Sequence, residues 1–250
     1  MIGEMRILAI LVAVPLVVFP VCSYASDDAW VQALTKHDVQ SVKRLAADGA
    51  DVNSAADDGR TALMLAASER DPSLMQLLLE RGARVNATNS RGGTALMYAA
   101  TAGDSAGVEL LLARGAAVNA RAANGWTALT LASVRGFEAI VTALLAHDAD
   151  PNISDIYGWT PLMRAIEQNR APVIRALLAS KRTDVNLRDE NGHTALHHAA
   201  LQGLPNVARG LIERGADTRA RDRAGRTAEA LAKLQGRAEV ADIISRANGG

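Results

Sequence analysis

Short apolar runs recur along most of the chain, and polar or turn-forming residues separate them. The clearest run follows a threonine and reads TALMLAA, TALMYAA, TALTLAS, TPLMRAI, TALHHAA or TAEALAK. A second apolar patch, such as residues 110–112, lies later in the same unit. Each run is long enough for about two helical turns and too short to form a stable helix by itself. The pattern therefore predicts two short helices per unit, each packed on its neighbours.

The threonines recur with a period of about 33 residues, and such a period predicts a repeat protein. They are Thr61, Thr94, Thr127, Thr160, Thr194 and Thr227. A glycine lies two residues before each threonine, where a tight turn needs a residue that tolerates positive φ. We expect the threonine hydroxyl to cap the first helix, and Pro161 suits the first helical position. A second phrase with the same period ends at Asn53, Asn86, Asn119, Asn152 and Asn186.

The two linked phrases resemble the ankyrin repeat, whose unit is a β-turn followed by two antiparallel helices. The resemblance implies an all-α repeat solenoid of about seven units, including a capping unit at each end. The sequence departs from the family's T-P-L-H phrase, because alanine replaces the proline except at Pro161 and only His197 keeps the histidine. One extra residue lies near residues 181–183, where the usual glycine is absent.

The segment before Ser26 differs from the repeats and is typical of a cleaved secretory signal. Arg6 precedes an uncharged apolar run from Ile7 to Val21, and small residues precede Ser26, where a signal peptidase would cut. An alternative is a lipoprotein anchored through Cys22, although Val21 occupies a position where such a signal needs a small residue. We expect a signal peptide over residues 1–25, an N-terminal capping repeat over 26–55, five internal repeats over 56–221 and a C-terminal capping repeat over 222–250.

Composition limits the classes of partner and the cellular locations that we expect. The 27 basic and 27 acidic residues leave no net charge, so the chain lacks the basic excess that favours nucleic acid. The apolar run is shorter than the roughly 20 residues that span a bilayer, so we expect no membrane span after signal cleavage. Asn86 and Asn152 lie in glycosylation sequons, but we expect them to turn inward, where a glycan would disrupt packing. The export signal and these asparagines favour a bacterial periplasm, with secretion as the second choice.

Three histidines close together in sequence form the one cluster that suggests chemistry. His193, His197 and His198 are of a residue type that often binds metals. The repeat alignment places His193 on a turn, His197 at the family's structural histidine and His198 at a leucine position of the first helix. These three positions need not lie close together. No nucleophile elbow, phosphate loop or zincin helix occurs, and signal cleavage would remove the only cysteine. We therefore expect no metal, no cofactor and no enzyme activity.

In the ankyrin family, partners are usually held by the turn tips and the exposed side of the first helix, which line the concave face. Exposed aromatic clusters at such positions are typical of interfaces. We expect the centre of a partner-binding patch at Trp126, Ile156, Tyr157 and Trp159. Its rim is expected at Arg60, Arg91, His193 and Arg226. Alternatively, each tryptophan lies across the neighbouring turn as packing; if both bind the partner, alanine at both abolishes capture and leaves the melting midpoint nearly unchanged.

The resemblance implies a monomeric, non-catalytic scaffold that binds another protein. Bacterial ankyrin-repeat proteins with a signal peptide include accessory factors for periplasmic peroxide defence, and the chain is similar to them in architecture. The leading hypothesis is a periplasmic adaptor that supports an envelope enzyme or stress defence. One alternative is an immunity protein or inhibitor that occludes a toxin or enzyme. Another is a metal-binding protein that uses the histidine cluster.

Overall fold

The computed structural model describes residues 23–249, and the helices in this range follow one another in seven pairs. The predicted signal peptide lies outside the described residues, except for residues 23–25, which begin α1. Within residues 23–249, no helix combines the length and the apolar character that a membrane span requires. The helices are α1 Ser23–Thr35, α2 Val39–Ala47, α3 Ala62–Ser68, α4 Pro72–Glu80, α5 Ala95–Ala102, α6 Ser105–Ala113, α7 Ala128–Arg135, α8 Glu138–Ala146, α9 Pro161–Glu167, α10 Ala171–Ala179, α11 Ala195–Gln202, α12 Pro205–Glu213, α13 Ala228–Leu234 and α14 Ala238–Gly249.

Threonine caps the first helix of the repeats, as the sequence predicts. In five of the six copies its backbone is extended and its hydroxyl accepts from the N–H three residues later. These hydrogen bonds are 3.2–3.4 Å long. Thr194 differs, because its hydroxyl is bonded to Nδ1 of His197 at 2.9 Å. Each cap satisfies a backbone donor that the helix itself leaves free.

Two layers of helices enclose the core. The first helices, from α3 to α13, pack side by side in one row, and the second helices, from α2 to α14, pack behind them. The leucines and alanines of the threonine phrases, such as Leu96 and Ala99, are buried between the layers. Alanine allows neighbouring helices to approach closely, and leucine supplies the apolar area whose burial stabilises the contact. One continuous core results, and the predicted all-α repeat solenoid is confirmed.

The asparagine of the second phrase links each repeat to the next. Nδ2 of Asn86 donates to the carbonyl of Gly115 at 3.1 Å, and Oδ1 accepts from the amide of Ala117 at 2.7 Å. The equivalent pair of bonds is made by Asn53, Asn119, Asn152 and Asn186. The expectation that Asn86 turns inward is wrong, since the residue is exposed. Its amide is nevertheless fully used between repeats.

A tight turn of five residues precedes each first helix from α3 onward, and we name it after that helix. The α9 turn is residues 155–159, and the α11 turn is residues 189–193. A backbone hydrogen bond of 2.8–3.2 Å joins each turn to the next. Gly125 shows how closely they approach: its φ is +82°, and a Cβ added there would lie 2.9 Å from Cα of Asp155. The turns therefore form one continuous, hydrogen-bonded edge.

The extra residue of the fifth repeat is accommodated after α10. Ser180 leaves the helix with an extended backbone. Thr183 is buried, and its hydroxyl donates to the carbonyl of Leu177 at 2.7 Å. Arg214 of the next repeat donates to the carbonyl of Ser180 at 3.0 Å. Side chains thus satisfy the carbonyls at a helix end that lacks the usual glycine.

Candidate functional site

The α7 and α9 turns carry the four apolar residues expected at the centre of the interface. We name this set, Trp126, Ile156, Tyr157 and Trp159, the aromatic patch. Ile156 and Tyr157 are 61% and 50% exposed, and Leu234 is the one other large apolar side chain of the described residues with such exposure. Trp126 and Trp159 are half-buried. The patch therefore consists of an exposed pair and a half-buried pair.

Arg164, from the second turn of α9, lies between the two tryptophans. Its guanidinium carbon is 4.4 Å from the ring centroid of Trp159 and 5.6 Å from that of Trp126. Both distances are typical of cation–π contacts. Trp159 also contacts the next repeat, where its ring centroid lies 4.2 Å from that of His198. The half-buried pair is thereby held in place by charged and aromatic neighbours.

Asp155 is the buried partner of Arg164. Its Oδ2 accepts from Nη2 of Arg164 at 2.5 Å and from Nε1 of Trp126 at 3.2 Å. Its Oδ1 accepts from the amides of Tyr157 and Trp159 at 2.9 and 3.0 Å. One carboxylate thus ties the α7 turn, the α9 turn and helix α9 together.

Asp155 and Arg164 are not among the site residues predicted from the sequence. The repeat pattern does contain a signal, because Arg164 stands where leucine occurs at Leu65 and Leu131. The contacts also correct the expectation that the two tryptophans can be replaced at no cost in stability. Both rings bridge neighbouring repeats, so alanine at either position removes inter-repeat packing as well as patch surface.

A pocket of about 330 Å³ opens beside Trp126, between the α5 and α7 turns. Its lining is mostly apolar and includes Met97, Tyr98 and Leu131. Arg91 also lines it. The pocket has the size and the polarity to receive one large apolar side chain.

The four predicted rim residues lie at different places along the row of turns. Arg91 is on the α5 turn, next to the patch, where it lines the pocket. His193 is on the α11 turn, which directly follows the α9 turn. Arg60 and Arg226 are on the α3 and α13 turns, each two turns away from the nearest patch residue. The structure therefore brings Arg91 and His193 to the patch, but not Arg60 and Arg226.

Two of the three histidines converge, contrary to the sequence expectation. Nε2 of His198 lies 3.0 Å from Oδ2 of Asp189, and Nδ1 of His193 lies 3.9 Å from the same oxygen. His197 is used elsewhere, since its Nδ1 is bonded in the α11 cap and its Nε2 to the carbonyl of Arg226. Asp189 is not among the residues predicted from the sequence, although an aspartate stands at the same position one repeat earlier and one repeat later.

Hydrogen bonds fix the orientation of the Asp189 carboxylate. Its Oδ1 accepts from the amides of Asn191 and His193 at 2.8 and 2.9 Å, which leaves Oδ2 facing the imidazoles. Burial would raise the pKa of Asp189, but the hydrogen bonds from His198 and from the His193 amide outweigh it and lower the pKa. Burial lowers the pKa of His197 below its ordinary value.

Asp222 connects the α11 turn to the α13 turn. Its Oδ2 lies 3.3 Å from Nε2 of His193 and accepts from Nε of Arg226 at 2.9 Å. Burial would raise the pKa of Asp222, but the hydrogen bonds from the amide and the guanidinium of Arg226 outweigh it. The pKa of Asp222 falls from 3.8 to about 2. A charged carboxylate thus holds the ring of His193 from the far side.

Solved ankyrin structures have the same fold. The ankyrin repeat protein EF0377 matches with a TM-score of 0.69 and 28% sequence identity, over 74% of this chain and 96% of its own. The ankyrin repeat domain of Bcl-3, described as a unique member of the IkappaB protein family, matches with a TM-score of 0.74 and 28% identity, over 87% of this chain and 97% of its own. No curated protein sequence matches the chain significantly.

The family model for ankyrin repeats matches the sequence in three copies. The copies cover residues 30–122, 117–189 and 177–249, which together are nearly all of the residues that form the helical pairs. Ankyrin repeats are scaffolds for protein–protein interaction and generally carry no catalysis. The chain therefore belongs to the ankyrin repeat family.

Proposed function

We propose that the chain is a protein-binding scaffold of the bacterial periplasm, which holds or supports an envelope protein through the aromatic patch. The observation that carries this proposal is the exposure of Ile156 and Tyr157 on a turn that is rigidly held. Large apolar side chains at the centre of a surface commonly supply most of the binding free energy of an interface. Their exposure in the free chain leaves that free energy available to a partner.

The patch needs little ordering when it binds. Backbone hydrogen bonds of 3.2 and 3.0 Å join the α9 turn to the α7 and α11 turns. The Asp155–Arg164 ion pair fixes the two tryptophan rings behind the exposed pair. A surface that is already ordered loses less conformational entropy on association, so more of the contact energy contributes to affinity.

The pocket beside Trp126 indicates what the partner presents. The apolar lining fits a large aliphatic or aromatic side chain of the partner. Arg91, which also lines the pocket, fits a carbonyl or carboxylate close to that side chain. We therefore expect the partner segment to contain an apolar anchor residue, with an acceptor group for Arg91 beside it.

The periplasmic location is supported by the apolar run before Ser26, which is typical of export signals. Asn86 and Asn152 add support, because a glycan on either amide would break the bonds between repeats. Fractionation of the source bacterium, with N-terminal sequencing of the product, tests the location. Recovery of the chain in the cytosol with the segment before Ser26 still attached would contradict it.

The exposed pair provides the sharpest test of binding. Ile156→Ala combined with Tyr157→Ala removes the exposed surface of the patch and few contacts inside the stack. We expect an unchanged unfolding midpoint and about a tenfold or greater loss of partner capture from periplasmic extract. Leu234→Ala is the matched control, since Leu234, at the end of α13, is an apolar residue that is 69% exposed.

Equal capture by the double variant and by Leu234→Ala would rule out the patch as the interface. A captured enzyme that loses its activity in the complex would indicate an inhibitor, and one that keeps or gains activity would indicate a supporting scaffold.

A further inference from the structure

The cluster of Asp189, His193 and His198 has the chemistry and the spacing of a metal site. One ligand atom of each residue lies within 4.8 Å of the other two. Tetrahedral zinc, with bonds of about 2.0–2.2 Å, places neighbouring ligand atoms roughly 3.4 Å apart. Oδ2 of Asp189 lies 3.0 Å from Nε2 of His198 and 3.9 Å from Nδ1 of His193. The observed separations lie on either side of that value, so small side-chain rotations suffice.

The outer neighbours of the cluster also match a metal site. Imidazole ligands of zinc usually donate their second ring N–H to a carboxylate, which fixes the tautomer. His193 has such a partner, because its Nε2 lies 3.3 Å from Oδ2 of Asp222 on the next turn. A proton on Nε2 leaves the lone pair of Nδ1 facing Asp189. The arrangement of carboxylate, imidazole and open ligand position is therefore already present.

The equivalent positions in the preceding repeat hold a permanent cation. Oδ2 of Asp155, the equivalent of Asp189, is paired with the guanidinium of Arg164 at 2.5 Å. In the sixth repeat, which begins with the α11 turn, His198 replaces that arginine and His193 replaces Trp159. The aspartate of the α9 turn is thus paired with a cation, whereas two imidazoles surround the equivalent Asp189.

We propose that Asp189, His193 and His198 bind one Zn²⁺ ion, with water in a fourth position on the side of the partly exposed His193. Two imidazole nitrogens and one carboxylate oxygen form a ligand set that zinc commonly accepts. Binding replaces the hydrogen bond between His198 and Asp189 with a bond from each to the metal, and the proton leaves Nε2 of His198 for Nδ1 or for solvent. His198 packs on Trp159 of the aromatic patch, but zinc titration needs no partner protein and partner capture needs no zinc, so either proposal can fail alone.

Isothermal titration of the untagged full chain with ZnCl₂ tests the site. Cys22→Ser serves as the background, because it removes the only thiol. His193→Arg and His198→Leu remove the ligands with residues that other repeats use at these positions, namely Arg60 and Leu65. Circular dichroism melting checks that both variants fold. We expect one zinc per chain in the background and at least a tenfold weaker affinity in each ligand variant.

Two further variants separate the site from general zinc binding. Asp222→Asn keeps all three ligands but weakens the hold on the His193 ring, so we expect about a tenfold loss of affinity. His147→Ala removes an exposed histidine outside the cluster and leaves the affinity unchanged. The proposal is overturned if the background binds no zinc, or if either ligand variant loses less than tenfold in affinity.

Discussion

In the α9 turn the first residue, Asp155, is paired with an arginine, whereas in the α11 turn the equivalent Asp189 faces two imidazoles. The backbones of the two turns make the same hydrogen bonds, and each carboxylate accepts from two amides of its own turn. The difference lies in the fifth residue of the turn and in the residue nine positions after the aspartate. Two side chains in an unchanged frame therefore convert a rigid support into a candidate binding site for a cation.

The comparison also shows what each arrangement contributes. In the α9 turn the ion pair is complete. It holds two tryptophan rings in place behind two exposed apolar residues. In the α11 turn the buried carboxylate faces two imidazoles, which have the spacing of metal ligands. The first turn suits recognition of a partner, and the second suits binding of a metal ion.

Arg164→Leu removes the cation of the α9 turn, and we expect it to lower stability more than the other variants. Leucine fits the helix, since Leu65 and Leu131 occupy the same position, but Asp155 loses its cation and both tryptophans lose their cation–π contact. We expect urea denaturation to show a loss of about 3 kcal/mol in the free energy of unfolding. Addition of Asp155→Asn is expected to restore about half of this loss, because Asn89 at the equivalent position accepts from the same two turn amides without a charge. A double variant less stable than Arg164→Leu would contradict the ion-pair explanation.

The α13 turn has the equivalent aspartate, Asp222, paired with Arg226, and its contribution to stability depends on pH. The folded pKa of Asp222, about 2, lies below the ordinary 3.8, so its contribution to stability is complete well above pH 4 and is lost as the pH falls towards 2. Asp222→Asn is expected to cost roughly 2 kcal/mol at pH 6 and close to nothing at pH 2, relative to the unmodified chain. Urea denaturation at both pH values measures the difference, and an equal cost at both would exclude Asp222 as its source.

His198→Arg makes the α11 turn more like the α9 turn, and we expect it to change stability least. The variant copies the α9 arrangement into the α11 turn, so a permanent guanidinium pairs with Asp189. We expect a gain of about 1 kcal/mol in the free energy of unfolding, together with the loss of zinc binding. Thermal melting and zinc titration of the same sample give both values. His198→Leu is the control, and it is expected to melt below the unmodified chain, because Asp189 then loses a hydrogen bond.

The architecture could be predicted from the sequence because every repeat restates it. Glycine turns, threonine caps and bridging asparagines recur with one period, and each depends mainly on the backbone. The polar couplings on the turns occur once each. Asp155 meets Arg164, and Asp189 meets His198, through side-chain conformations that no repeated phrase encodes. Departures from the repeat pattern mark where such couplings occur, but only the structure shows which atoms are in contact.

The hydrogen-bonded edge of turns has a consequence for protein engineering. Because each turn is anchored to its neighbours through backbone atoms, new side chains can be introduced without redesign of a loop. The first and fifth residues of a turn, together with the fourth residue of the helix that follows, define a three-residue cassette. Cassettes copied from one repeat to another would transfer an ion pair, an aromatic anchor or a metal ligand set along the chain at the spacing of the repeats.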